Sequence, residues 1–403
     1  MNIWLISAFD PTPIDNIRPM RFMGIAEAAI NKNHKLTFFT STFKHNTKQH
    51  RYKKNTNLLI NDNYELVFIN SSAYKKNISF KRMMAHLDFA NKLLEAIKKR
   101  EKPDAILISL PPLSTVDKIC TWAKLNNIPV IVDIIDPWPD VFLKPLPKSF
   151  KWIGNLLLFP FHLKLKRSFK NCSGVTAISN QYIGWAMPYL NKNSLTAVFY
   201  PAIQFKQLKE ELMKLENTIV KNTGKLRIIY AGSLASSYDI KTILNAAQIL
   251  NKRYPFKTEF AIAGKGYQEE MVKEKTKMLP NVIYLGWLDQ NQINKEYYLS
   301  DLGLAQHVKN ATQSVTYKLF DYLGAGLPIL NSLQSEMVNI IENNKVGLNN
   351  LPGDAEMLAS NIESFLLDKE LLKRYKRNAL EYTANFGDSA IVYDKFVQFI
   401  ETV

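Results

Sequence analysis

The chain alternates short apolar, β-branched runs with stretches of helical periodicity, and it does so in two separate series. The first places strands at 3–8, 36–40, 66–69, 105–109, 130–135 and 174–177, with helices near 21–31, 80–99 and 121–125. The second places strands at 226–230, 260–263, 282–285, 302–305 and 329–331, with helices at 240–252, 267–278, 291–300 and 355–368. Strands separated by helix-length crossovers predict a mostly parallel sheet covered on both faces. Two such series in 403 residues predict an α/β protein of two domains, since one hydrophobic core stops growing well short of this length. The expected division is 1–201, a polar connection at 202–225, a second domain at 226–375 and a closing helical segment at 376–403. Ligands of such sheets gather beyond the carboxyl ends of the strands, so a cleft served by both sheets is expected.

Charge is distributed unevenly. Residues 1–200 hold 28 Lys plus Arg against 13 Asp plus Glu, whereas residues 201–403 hold 24 against 23. The first half therefore carries nearly all of the formal +16, which points to an anionic partner there. Nucleic acid, an anionic lipid face and a phosphorylated acceptor all fit that surplus. Two cysteines, Cys120 and Cys172, give no disulfide framework and suit a reducing compartment. The opening MNIWLISAF reads as a first strand rather than a signal peptide, and no apolar run has the length of a membrane span. His45, His50 and His86 lack ligand spacing with each other or with the cysteines, so no structural metal is expected. His86 reads as a core residue, and Lys48, Arg51, Lys53 and Lys54 as a basic loop bordering the acceptor side.

Residues 314–328, SVTYKLFDYLGAGLP, carry the most specific chemical signal. Lys318 and Asp321 are three apart at the start of a helix and share a face, and Gly324 and Gly326 close it. A lysine suits a phosphate, a carboxylate suits the paired hydroxyls of a ribose, and a helix N-terminus attracts a diphosphate. Spacing alone leaves a second reading open, in which both are exposed charges on an ordinary surface helix.

The segment resembles the signature of GT-B glycosyltransferases of the GT4 kind, through Lys318, Phe320, Asp321, Tyr322, Leu323, Gly326 and Pro328, with Asp321 where a glutamate is usual. That resemblance implies two Rossmann-like domains facing each other across a deep cleft, with the last helix, here 391–400, crossing back to the first domain. It implies that Lys318 meets the donor diphosphate and Asp321 its ribose. The turn Tyr-Ala-Gly-Ser-Leu is similar to the family's phosphate turn at Gly232, where the glycine allows close backbone approach. The Arg and Lys that grip the diphosphate in the family are replaced by Ser233 and Tyr238. Gly264 and Gly266 match a Gly-x-Gly turn facing the base, and Gly286 offers a backbone contact there, with Trp287 either beside the base or packed on the core. His307 and Lys309 follow the strand that leads to the signature, and Lys309 could restore part of the missing charge. Gln313 occupies the place of the family's first acidic residue, so no carboxylate nucleophile is assigned, and Glu336 is set to hold donor-sugar hydroxyls.

In the first half, Ile-Ile-Asp-Pro-Trp-Pro-Asp ends a buried-type strand. It resembles an Asp-x-Trp-Pro-Glu segment of polysaccharide-building members, which assigns Asp136 a catalytic contact with the sugars, and Trp138 and Asp140 to the acceptor. Asp10, Asp15, Arg18 and Arg21 follow the first strand and are expected to contribute to acceptor recognition, an arginine pairing with an acceptor phosphate. Residues 141–170 contain seven basic residues and no acidic one, interleaved with bulky apolar side chains. Lys148, Lys151, Trp152, Lys164, Lys166 and Arg167 are thus candidates for an anionic membrane surface, with pure core packing as the alternative. Pro160 predicts two short helices there rather than one.

The expected function is retaining transfer of a hexosyl or N-acetylhexosaminyl group from a nucleoside-diphosphate sugar, UDP-linked by preference, to a saccharide or polyprenyl-linked acceptor. No cofactor or metal is expected, and no nucleic-acid partner, because the aromatics near 150 are too mixed with aliphatic residues for a stacking platform. A monomer or weak dimer at the cytoplasmic face of a bacterial membrane completes the expectation. A GT-B epimerase, a phosphorylase and a non-catalytic anion-binding protein are the competing readings.

Overall fold

The computed structural model describes residues 1–15, 17–77, 79–143, 146–221 and 224–403, without the side chain of Lys148. The chain divides into two compact units, Met1–Tyr200 with Val392–Val403, and Pro201–Ile391.

The strands of the first unit are β1 (Asn2–Ile6), β2 (Lys35–Ser41), β3 (Phe43–Lys44), β4 (Gln49–His50), β5 (Thr56–Asn61), β6 (Tyr64–Ile69), β7 (Ala105–Leu110), β8 (Val130–Ile134), β9 (Gly174–Ala177) and β10 (Leu195–Val198). Its helices are α1 (Arg21–Asn31), α2 (Phe80–Ile97), α3 (Leu113–Leu125), α4 (Lys151–Asn171) and α5 (Asn180–Ala186). Eight strands form one sheet in the order β10-β9-β8-β7-β1-β2-β6-β5, parallel except for β5, which pairs antiparallel with β6. The central strands are apolar on both faces because helices cover both. The edge strand β5, TNLLIN, is largely exposed, and its polar composition hides it from a search for buried runs. β3 and β4 form a separate antiparallel ribbon.

The second unit contains β11 (Leu226–Ala231), β12 (Thr258–Ala263), β13 (Val282–Gly286), β14 (Leu302–Ala305), β15 (Ile329–Asn331) and β16 (Gly347–Asn349), all parallel, in the order β13-β12-β11-β14-β15-β16. This is the doubly wound order, and its direction reverses between β11 and β14, where open α/β sheets bind their ligands. The helices are α6 (Phe205–Glu216), α7 (Ile240–Arg253), α8 (Glu269–Thr276), α9 (Gln290–Leu299), α10 (Tyr317–Gly324), α11 (Glu336–Asn344), α12 (Ala355–Leu367) and α13 (Lys369–Phe386).

Two expectations change. The polar stretch after Pro201 contains the helix α6, held to α9 by a hydrogen bond from Asn294 to Glu211. The charged residues that mask it in sequence are its exposed face. Residues 151–171 form one helix through Pro160, not two. Pro160 removes a single amide donor on an exposed flank, where water can satisfy the carbonyl that would have accepted it. The closing segment is two helices, α13 in the second unit and α14 (Ser389–Glu401), whose residues from Val392 onward belong to the first. Phe396 of α14 is fully buried and stacks on Phe199 at 4.4 Å, and Asp394 pairs with Lys32 at 3.1 Å.

Candidate active site

The second unit brings its candidate residues together at the end of β11. Lys318 and Asp321 are 9% and 8% exposed, which removes the ordinary surface-helix reading. The Lys318 ammonium donates to the carbonyl of Ala231 and lies 4.6 Å from the ring centre of Tyr230 and 5.1 Å from that of Tyr238. Two aromatic faces and a carbonyl thus hold a charge that burial would otherwise disfavour. Gly232 makes room for it, because a Cβ there would lie 1.9 Å from Lys318 Nζ, and its φ of +145° disfavours any other residue. Its amide is spent on Ala263 O at 2.9 Å, so Gly232 serves the site by admitting the lysine rather than by offering its own N–H. Gly264 is equally constrained, since a Cβ would meet Gly232 O at 1.8 Å, and it locks the two turns backbone to backbone. Ser233 and Gly266, on those same turns, are exposed.

Tyr322, one residue beyond Asp321, accepts a hydrogen bond from the Ala231 amide at 2.9 Å and donates to Leu304 O at 3.2 Å. It ties the signature helix to both strands at the reversal. His307 lies just past β14 and is fully buried. Its amide donates to the Ser332 hydroxyl at 2.7 Å, and its Nδ1 donates to Ala305 O at 3.1 Å. That leaves Nε2 as an acceptor, buried and without a partner among the described residues. Burial, aided by the Lys318 charge, brings its pKa down to about 4, so the ring is neutral at ordinary pH. The Oε1 of Gln313 is likewise buried and unpartnered. Glu336 opens α11, whose cap Ser335 donates its hydroxyl to Ser314 O at 2.6 Å, bringing this helix start to the signature segment. Gly286 accepts from the Gly264 amide at 2.7 Å, while Trp287 is 65% exposed and does not pack on the core. Lys309 is exposed. Sequence reasoning missed Tyr230 and Ser332. Tyr230 follows the ordinary alternation of a strand, and only its partner reveals its role.

In the first unit, Asp136 sits half-buried just past β8. Asp10 follows β1, and its carboxylate accepts from the Ser7 hydroxyl at 2.6 Å. Burial pushes its pKa up to about 6, against the lowering effect of that hydrogen bond. Arg18 is half-buried. Arg21 is not available to an acceptor: it is 3% exposed and forms a two-pronged ion pair with Asp133 at 2.7 and 2.8 Å. Asp15 is similarly committed, to Arg51 at 2.7 Å, Lys44 at 2.9 Å and the Thr12 amide at 2.9 Å, and although burial works against its charge, these partners hold its pKa far below the usual carboxylate range. Asp140 accepts from the Trp185 indole at 2.6 Å and pairs with His162 at 3.2 Å, anchoring its turn to α5 and α4. Trp138 packs beside His86 and Phe142.

The α4 helix exposes Trp152, Leu156 and Leu157 at 67, 68 and 70%, with Lys151, Lys164 and Lys166 also exposed. Core packing therefore accounts for only part of this segment, through Leu165 and Phe169. Arg167 is different, because it pairs with Asp117 of α3 at 2.5 Å and fastens the helix to its own unit. Lys148 belongs to the same expected group, but its side chain lies outside the described residues. Among the described residues no helix is long and apolar enough to cross a membrane.

The buried lysine–aspartate pair at the strand reversal coincides with a family match. Residues 213–382 match the model of the glycosyl transferases group 1. The match spans most of the second unit and includes every candidate donor residue discussed above. The chitobiosyldiphosphodolichol beta-mannosyltransferase of Candida glabrata is 24% identical over 308 residues, 68% of this chain and 66% of the relative, just under two-thirds of its length. An E. coli structure described as "Trehalose-6-phosphate from E. coli bound with UDP-2-fluoro glucose" superposes with a TM-score of 0.75 at 13% identity, covering 100% of this chain and 99% of that one. The sucrose-phosphate synthase of Thermosynechococcus elongatus gives 0.71 at 13% identity, over 100% and 98%. These likenesses establish the GT-B fold.

Proposed function

We propose that the protein is a retaining glycosyltransferase that moves a sugar from a nucleoside-diphosphate sugar, UDP-linked by preference, to a saccharide or lipid-linked acceptor. The observation that carries this reading is the Lys318 ammonium, held by Ala231 O and two tyrosine rings at the strand reversal of a group 1 domain. A buried lysine at this point is suited to a diphosphate whose negative charge grows as the sugar departs. Asp321, on the same helix, takes the ribose hydroxyls. The unpartnered acceptors His307 Nε2 and Gln313 Oε1 suit hydroxyl donors, and with Glu336 they hold the sugar. The absence of the family's Arg and Lys is offset by concentrating the phosphate contact in one desolvated lysine, where a charge counts for more than in water. Asp136 addresses the acceptor in the first unit, and the departing diphosphate takes the acceptor's proton. No cofactor takes part in this scheme.

The same reading places the enzyme at a membrane surface. α4 shows solvent a row of large apolar residues flanked by lysines, which joins apolar burial to attraction for anionic headgroups. A lipid-linked acceptor would be met where it resides.

The test is a panel of nucleoside-diphosphate sugars offered with membrane-extracted lipid acceptors, following nucleotide release and UDP binding by calorimetry. Wild type should bind UDP and release it with one donor. Lys318→Gln should lose at least about ten-fold in UDP affinity, the worth of one charge-assisted hydrogen bond. Unchanged affinity would put the donor site elsewhere and end the proposal.

A further inference from the structure

A second concentration of positive charge lies in the first unit, in a part of the fold that the donor chemistry does not use. The short ribbon β3–β4 and the start of α2 bring Lys48 and Arg82 to the same tyrosine. Lys48 Nζ is 4.8 Å and Arg82 Cζ 5.8 Å from the ring centre of Tyr74. Both cations also converge on Asn77, Lys48 donating to its side-chain oxygen at 2.6 Å and Arg82 to its carbonyl at 2.7 Å. Arg82 lies at the same time 5.1 Å from the ring centre of Trp138. Like charges in one cluster repel, and the hydrogen bonds and ring contacts named here are all to neutral groups.

Two histidine rings beside the pair stay neutral, and Asp136 is the carboxylate that acts on Arg82. His45 accepts at Nδ1 from the Tyr74 hydroxyl at 2.6 Å, with Lys48 Nζ 3.4 Å from the same nitrogen. His86 accepts at Nε2 from Arg82 Nε at 3.2 Å. Each ring therefore keeps its hydrogen on the other nitrogen and stays uncharged. Burial and the two cations bring His45 to a pKa of about 4, and burial, Arg82 and His45 bring His86 to about 3. Lys48 and Arg82 are themselves lowered, first by burial, and Asp136 is the carboxylate whose field offsets this for Arg82. Lys48 in addition stands at φ +59°, a left-handed conformation that a lysine adopts at a cost and a glycine does not.

We propose that Lys48 and Arg82, framed by Tyr74 and the neutral His45 and His86, form a binding site for a phosphoryl oxyanion, separate from the donor site. Arg82 supplies planar paired donors and Lys48 a mobile point charge, the combination that suits phosphate oxygens. Trp138 beside Arg82 offers an apolar face to whatever carries the phosphate. The assignment of that carrier to the acceptor rests on the glycosyltransferase reading and on the proximity of Asp136; the oxyanion site itself does not. Its source is either a lipid diphosphate or a phosphorylated sugar, which share this chemistry.

The experiment titrates the full-length protein, with saturating UDP present, with inorganic pyrophosphate, glucose 6-phosphate and farnesyl diphosphate by calorimetry. Binding of at least one probe with unit stoichiometry is expected, weakened about ten-fold or more by Lys48→Gly and by Arg82→Gln but not by Lys318→Gln. Farnesyl diphosphate binding more tightly than pyrophosphate supports the lipid source, and glucose 6-phosphate binding most tightly supports the sugar source. Lys48→Gly also guards against a folding artefact, because relief of the left-handed strain should leave Tm equal or higher while affinity falls. No binding of any probe, or binding indifferent to both substitutions, would overturn the proposal. Loss of UDP binding alone would instead remove the donor assignment and leave the oxyanion result, read from the same titrations without UDP, intact.

Discussion

Lys318 and Gly232 act as one device. Restoring a Cβ at position 232 would push directly on the ammonium, whose flexible stem can swing away. Gly232→Ala should therefore cost donor affinity at least as heavily as Lys318→Gln. Its stability should fall by only about 1–2 kcal/mol, mostly from backbone strain. UDP calorimetry beside a urea melt separates the two effects. Lys318→Ala differs from an exposed substitution, because the residue is buried and the Ala231 carbonyl would lose a charged donor, keeping only the longer contact from the Tyr322 hydroxyl at 3.5 Å among the described hydrogen bonds to side chains. It should destabilise by about 1–3 kcal/mol as well as abolish nucleotide release. His307 sets a pH dependence. Its folded pKa is depressed, so the unfolded chain binds more protons between about 4 and 6.5, and the stability it contributes is complete above that window and lost as pH falls through it. Urea melts at pH 7 and pH 4.5 should show His307→Gln lacking about 2–3 kcal/mol of the wild-type decline. An equal decline in both proteins would show that the ring titrates normally.

At the scale of elements, α4 and α10 both mix apolar residues with lysine, several in α4 and one in α10, yet one is half exposed and the other almost wholly buried. α10 was legible because its motif fixes what surrounds it. α4 was not, since apolar side chains with no neighbours in sequence to compare cannot say whether a helix or a lipid covers them. A triple substitution, Trp152→Glu with Leu156→Glu and Leu157→Glu, tests which. These side chains face solvent, so Tm should stay within about 2 °C, whereas sedimentation with phosphatidylglycerol vesicles should fall at least about ten-fold. Vesicle binding that survives the charges would assign the surface elsewhere. The edge strand β5 and the helix α6 escaped the sequence reading for the opposite reason: their polar residues are correct for exposed elements, and the search was for burial.

For the molecule as a whole, the last helix decides whether the first unit is complete. Phe396 has no solvent exposure, and Tyr393 of the same helix packs against Gly24, where a Cβ would approach its ring to 2.3 Å. Phe396→Ala should destabilise the first unit by about 3–5 kcal/mol and leave UDP binding by the second nearly unchanged. A chain with one cooperative transition and intact stability would contradict that assignment. Two mostly parallel sheets and the glycine turns could be read from the residues alone, because each depends on local periodicity or on neighbours a few positions apart, while the Lys–Asp segment stood out through its resemblance to a family signature. The fate of the charges could not. Arg21 and Asp133 are 112 residues apart and neutralise each other, Asp15 is consumed by Arg51, and Lys48 meets Arg82 across a ribbon and a helix. Which cations remain for a ligand depends on which carboxylates the fold brings to them, and only long-range packing sets those distances.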